Sequence, residues 1–144
     1  MELDMAEDLK SVVVERTALG VYQIRNVRGG AITLYVNDTD FTAVELLLGA
    51  IGACTINDVD HLTSRRAEPE SLSVEVSGNK TTDEGGNIMR DVTVTFRAAF
   101  PEGPEGDAAR AALPRAVAAS HDRLCTVSRT VQTATPVTTV IAPD

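Results

Sequence analysis

Residues 42–66 read TAVELLLGAIGACTINDVDHLTSRR, an apolar run that turns polar just past its single cysteine. Thr42 and Glu45 fit the S/T-x-x-E capping box, in which the threonine hydroxyl takes the amide of the third helical residue and the glutamate returns to the cap amide. Phe41 and Leu46 stand where a hydrophobic staple closes over such a start. The pattern predicts a helix to about Arg66. Its first half, VELLLGAIGAC, is apolar nearly all round, as in a helix buried on most sides. Its second half is amphipathic and ends in cations that suit a helix C-terminus. Burial of this extent calls for cover by a sheet, a partner subunit or both.

Strands are expected on either side of this helix. Residues 11–36 hold β-branched runs broken by ALG and RGG, which predicts two or three antiparallel strands; the last, AITLYV, runs into the helix through the loop NDTD. After the helix, Leu72, Val74 and Val76 alternate with polar residues. Beyond the turn TTDEGGN, Val92, Val94, Phe96, Ala98 and Phe100 do the same, so a hairpin with one buried side follows. An alanine-rich stretch from Asp107 to about His121 favours helix, with Pro114 expected to kink or restart it. A short helical turn around CTVSRTVQ and a final strand PVTTVIA complete the chain. The order is α+β: antiparallel strand meander, long buried central helix, β-hairpin, second helix and C-terminal strand.

A chain of 144 residues suits one domain spanning residues 1–144. At that size folding buries roughly two-thirds of the unfolded surface, without help from disulfides or metal. Thirteen Lys plus Arg stand against 21 Asp plus Glu, a formal charge of −8, with the basic residues scattered. That balance argues against nucleic acid and anionic membrane as partners. No apolar run reaches the roughly 20 residues needed to span a bilayer, and the acidic start MELDMAEDLK lacks the character of a secretory signal. A cytoplasmic protein is the expectation.

The two cysteines, Cys54 and Cys125, lie 71 positions apart. In a reducing compartment a pair that meets in space is a redox pair rather than a permanent staple, but spacing alone does not say whether they meet. Taken singly, each reads as a small core hydrophobe before it reads as a nucleophile. Cys54, Asp58 and His61 share one side of the predicted helix, and thiolate, carboxylate and imidazole are all metal ligands. Zinc wants three or four ligands at about 2 Å, whereas these climb about 10 Å along the axis. A solvated polar face is the preferred reading there, with no metal and no cofactor. Cys125 sits where a loop meets a new helical turn, close to His121, Arg123 and Arg129, and both helix N-termini and nearby cations lower a thiol pKa.

The segments ELLLGAIGACT (45–55) and SHDRLCTVSRT (120–130) together resemble the paired signature of the OsmC/Ohr family, the osmotically induced protein C and organic hydroperoxide resistance proteins. The expected order of elements agrees over nearly the whole chain. The resemblance implies an OsmC-like fold in an intertwined homodimer with sites at the subunit interface. It also implies a thiol-dependent peroxidase of oxidative-stress defence that reduces organic hydroperoxides. Cys54 would be the attacking thiolate and Cys125 the resolving thiol, with a small or protein-bound dithiol as reductant.

The family supplies a cation to the thiolate from an arginine of the N-terminal strands. Arg16 is the closest positional match, with Arg25 and Arg28 as competitors. The family's functional glutamate falls one position before Glu45, where this chain has Val44. Glu45 would also lie about 180° around and roughly 13 Å along the helix from Cys54, so its role reads as capping. Thr126 stands where the family has proline after the resolving cysteine. His121 reads as a capping or packing residue. The alternative implied by these departures is an OsmC-fold protein that binds a small apolar ligand at the dimer interface without peroxidase turnover. A purely structural role for the cysteines, the third reading, predicts sulfurs beyond disulfide reach.

Overall fold

The computed structural model describes residues 7–144. Contacts divide the chain into two compact units, one ending at Leu46 and one beginning at Leu47.

The first unit holds the expected meander: β1 (Val12–Ala18), β2 (Val21–Asn26) and β3 (Ala31–Leu34), antiparallel in the order β1-β2-β3. Each turn has a local cause. Gly20 takes φ 76° between β1 and β2, a left-handed conformation that glycine adopts without a Cβ clash. Between β2 and β3 the Asn26 side-chain oxygen accepts the amides of Arg28 and Gly30, both at 2.9 Å. The third strand stops two residues short of the expected Val36, because Tyr35 turns to φ 65°, a costly conformation for a bulky residue. Two contacts accompany that turn. The Tyr35 ring meets Tyr22 edge to face at 6.3 Å, and its hydroxyl accepts the Ala43 amide at 3.2 Å.

The helix α1 spans Ala43–Thr63. Its capping box is formed in both directions: the Thr42 hydroxyl accepts the Glu45 amide at 3.2 Å, and the Glu45 carboxylate accepts the Thr42 amide at 2.8 Å. Phe41, the outer residue of the expected staple, keeps 59% exposure. The helix also ends earlier than Arg66; the Thr63 carbonyl accepts the amides of Arg66 and Ala67 and turns the chain out.

In the second unit the hairpin is longer than its sequence pattern. β4 (Ser71–Asp83) and β5 (Gly86–Ala99) pair from Ser71↔Ala99 to Asp83↔Gly86. The turn therefore shrinks to Glu84-Gly85, with Gly86 at φ 123°. Leu72, Val74 and Val76 pair with Ala98, Phe96 and Val94, so the expected apolar face is continuous across both strands. α1 lies against this face at Gly52, where an added Cβ would stand 3.0 Å from Val76 Cγ2 and 3.3 Å from Val74 Cγ1.

α2 (Pro104–Ala119) begins three residues before the expected Asp107, with proline at its start, a position where the missing amide is not needed. Pro114 neither ends nor restarts it. The wider π-helical turn of Ser120–Leu124 follows, closed by the Cys125 amide on the Ser120 carbonyl at 2.9 Å, and leads into α3 (Thr126–Gln132). The expected last strand is absent: residues 136–144 form no secondary structure. Val137, Val140 and Ile141 are 89%, 84% and 98% exposed, so this segment joins no strand edge among the described residues. The buried residues include Ile51, Val59, Phe100, Ala109, Ala116 and Cys125. Among the described residues no helix is long and apolar enough to cross a membrane.

Candidate thiol site

Cys54 occupies the fourth turn of α1, half-buried, one residue before the buried Thr55. Asp58 follows at i+4, which puts its carboxylate on the same side of the helix. Cys125 arrives from the other end of the sequence as the residue that caps α3, and it is fully buried. The two sulfurs and a carboxylate oxygen of Asp58 all lie within 4.8 Å of one another. Both cysteines are free thiols. A disulfide needs its sulfurs at about 2.0 Å, so bond formation requires the two side chains to move together. Sulfurs this close do not fit the purely structural reading.

Two polar contacts orient the cluster. The Ser120 hydroxyl donates to Asp58 Oδ2 at 2.8 Å, tying the π-turn to α1 across 62 positions of sequence. The Ser128 amide donates to Cys125 Sγ at 3.3 Å. Thr126, where the family pattern has proline, is the first residue of α3. Proline is favoured at that position but not required, because the first amide has no helical partner. The substitution therefore leaves the cap at Cys125 intact.

The electrostatics of Cys125 run opposite to the sequence expectation. Its thiol is pushed up to about 11, first by burial and then by a hydrogen bond with the Cys54 side chain; the nearby Cys54 and Asp58 charges add to this, and the Ser128 amide offsets part of it. Helix capping by the sulfur is present, but desolvation outweighs it. Arg123 and Arg129 do not reverse the balance: both are exposed and line a separate polar surface depression with Thr126, Thr130, Thr133 and Thr135. His61 is exposed and absent from the cluster, its place beside Cys54 and Asp58 being taken by Cys125.

Next to the cluster opens a cavity of about 500 Å³, walled by Ile51, Val94, Phe96, Val117 and Val131. Ser120 and Ser128, the residues that contact Asp58 and Cys125, also line it, so an apolar chamber adjoins the polar cluster. A volume of this order suits a small organic ligand. His121 is on the same wall.

Arg16 is in the first unit, on β1 opposite Tyr22 and just before the bulge between Arg16 and Ala18. Its competitor Arg25 is engaged by Glu15 across the β1–β2 pair. Among the described residues Arg16 and Arg28 make no ion pair.

A sequence profile for OsmC-like protein matches residues 36–140, which include both cysteines. The chain belongs to the OsmC-like family. Solved structures carry the same fold. A hypothetical protein from Aquifex aeolicus is 22% identical, with a TM-score of 0.70 over 90% of this chain and 91% of that one. An OsmC-like protein from Mycoplasma pneumoniae is 14% identical, with a TM-score of 0.68 over 88% and 89%. An OsmC-like protein from Vibrio cholerae is 12% identical, with a TM-score of 0.67 over 88% and 95%. No curated protein sequence matches. Within this OsmC-like chain the sequence signature singled out both cysteines, and Asp58 was visible at i+4 from Cys54. The Ser120 contact was not legible, because it depends on a π-turn that no local pattern announces.

Proposed function

We propose that this OsmC-like protein is a thiol-dependent peroxidase that reduces organic hydroperoxides with Cys54 and Cys125. The observation that carries this reading is the convergence of the only two sulfurs of cysteine in the chain, within 4.8 Å, beside an apolar cavity. The Cys54 thiolate attacks the terminal oxygen of the hydroperoxide: an S–O bond forms, the O–O bond breaks, and the alkoxide leaves as the alcohol after taking a proton. Cys54 is then a sulfenic acid, one step up the oxidation ladder. Cys125 attacks that sulfur, an S–S bond forms, and the hydroxyl leaves as water with the proton that Cys125 gives up. A thiol held protonated at rest is therefore no obstacle, since its proton is consumed in the same step. An external dithiol returns both cysteines to the reduced state by exchange.

In this reading the apolar tail of the peroxide occupies the cavity next to Ser120 and Ser128. Arg16 is assigned, by family analogy alone, to stabilise the Cys54 thiolate. The protein acts as a single OsmC-like domain in a cytoplasmic homodimer. Partner contact would cover the exposed part of α1, where Leu47 keeps 40% exposure. The test is stopped-flow consumption of cumene hydroperoxide by the dithiol-reduced protein. A burst that vanishes in Cys54→Ser supports peroxidase action; consumption no faster than that variant removes it.

A second reading, binding of a small apolar ligand without turnover, is favoured by one observation: the Asp58 carboxylate beside the sulfurs adds to what keeps Cys125 protonated, on the edge of an apolar cavity. It predicts saturable uptake of an apolar fluorophore that ligand displaces, with no peroxide consumption.

A further inference from the structure

We propose that Cys54, Asp58 and Cys125 form a binding site for a thiophilic divalent cation of the zinc type. Three donor atoms of suitable chemistry, two sulfurs and one carboxylate oxygen, converge within 4.8 Å. Zinc–sulfur bonds of about 2.3 Å at tetrahedral angles put two ligated sulfurs about 3.8 Å apart. The sulfurs thus need to close by no more than about 1 Å. Two sulfurs in a set of three select soft metals over magnesium and calcium, which prefer all-oxygen shells.

The supports expected around such a site are built in. Cys54 and Asp58 at i,i+4 offer two ligands from one side of a rigid helix, the spacing by which helical zinc sites chelate. The Ser120 hydroxyl holds Asp58 Oδ2 at 2.8 Å and leaves the other carboxylate oxygen for a metal. The Ser128 amide at 3.3 Å from Cys125 Sγ stabilises negative charge on that sulfur. Such outer contacts fix ligand orientation and contribute to affinity. Binding displaces one proton from each thiol to solvent and leaves the fourth position to water. No electrons move. Metal and disulfide are mutually exclusive because they use the same sulfurs, so metal would hold the pair reduced. The site does not depend on peroxidase action; a protein inactive toward peroxide could still bind metal.

The test is anaerobic titration of the reduced full chain with Co²⁺, followed by displacement with Zn²⁺. The expected result is a 1:1 complex with thiolate-to-cobalt charge-transfer absorption and tetrahedral d–d bands, abolished by prior oxidation to the disulfide. Asp58→Asn and Ser120→Ala should each weaken binding by about 10-fold or more, while His61→Ala leaves it unchanged. Circular dichroism of each variant separates ligand loss from unfolding. Absence of a stoichiometric complex, or binding unchanged in Asp58→Asn, overturns the proposal.

Discussion

At Cys125 two local effects oppose each other. Its sulfur caps a helix and accepts an amide, which favours thiolate, yet it is fully buried beside another thiol and a carboxylate. Burial wins, and the folded thiol is raised from 9.0 to about 11. A group whose folded pKa exceeds its unfolded value contributes stability that is complete below the unfolded value and lost as pH rises through the folded one. Chemical denaturation should therefore show stability falling between about pH 9 and 11, a loss missing from Cys125→Ala when each protein is compared with its own value at pH 8. Asp58→Asn removes a negative charge from the cluster, so the pH at which Cys125 begins to react with iodoacetamide should move down. An unchanged or upward profile would contradict the assigned cause. Cys54, half-buried, should be alkylated before Cys125 at pH 8.

The elements show which parts of the fold the sequence could express. Local chemistry announced the start of α1, and both hydrogen bonds of the Thr42–Glu45 capping box are present. Glu45→Ala should cost about 1 kcal/mol in thermal or urea unfolding, whereas Glu45→Gln, which can still reach the Thr42 amide, should stay close to the parent. If Glu45→Gln instead lost peroxide activity at full stability, capping would not be its whole role. The hairpin was equally legible, since alternation on both strands fixes its buried face. Pro114 does not restart the helix, which runs through it from Pro104 to Ala119, so a proline in the pattern did not mark a boundary. Gly106 carries a constraint that no pattern revealed: a Cβ there would overlap the Pro101 carbonyl oxygen. Only a backbone shift relieves such an overlap, so Gly106→Ala should lower stability by at least the 1–3 kcal/mol typical of overpacking, roughly. A smaller cost would mean that the 101–106 loop gives way easily.

For the whole molecule, the sequence was most informative where residues distant in the chain belong to one signature. Cys54 and Cys125 were paired by resemblance over 71 positions, and their sulfurs do converge. Asp58 was assigned to a solvated face because helical spacing could not reveal which element would cover it; the Ser120 hydrogen bond and the Cys125 sulfur supply that missing partner. The final residues were misread for a related reason. Their β-branched content predicts a strand, but a strand needs an edge, and Val137, Val140 and Ile141 remain exposed in the single chain. The proposed homodimer would provide further surface for them and for Leu47. Light scattering should accordingly give twice the chain mass at micromolar concentration, and a monomer under those conditions would remove the dimer from the account.

The central claim is that Cys54 and Cys125 act as one redox pair. Its most direct measurement is peptide mapping by mass spectrometry after the reduced protein meets one equivalent of cumene hydroperoxide. The account predicts a single Cys54–Cys125 disulfide within one chain, and, in Cys125→Ser, a sulfenic acid on Cys54 that dimedone traps. Two thiols unchanged after exposure, or oxidation that begins on Cys125 and spares Cys54, would contradict it.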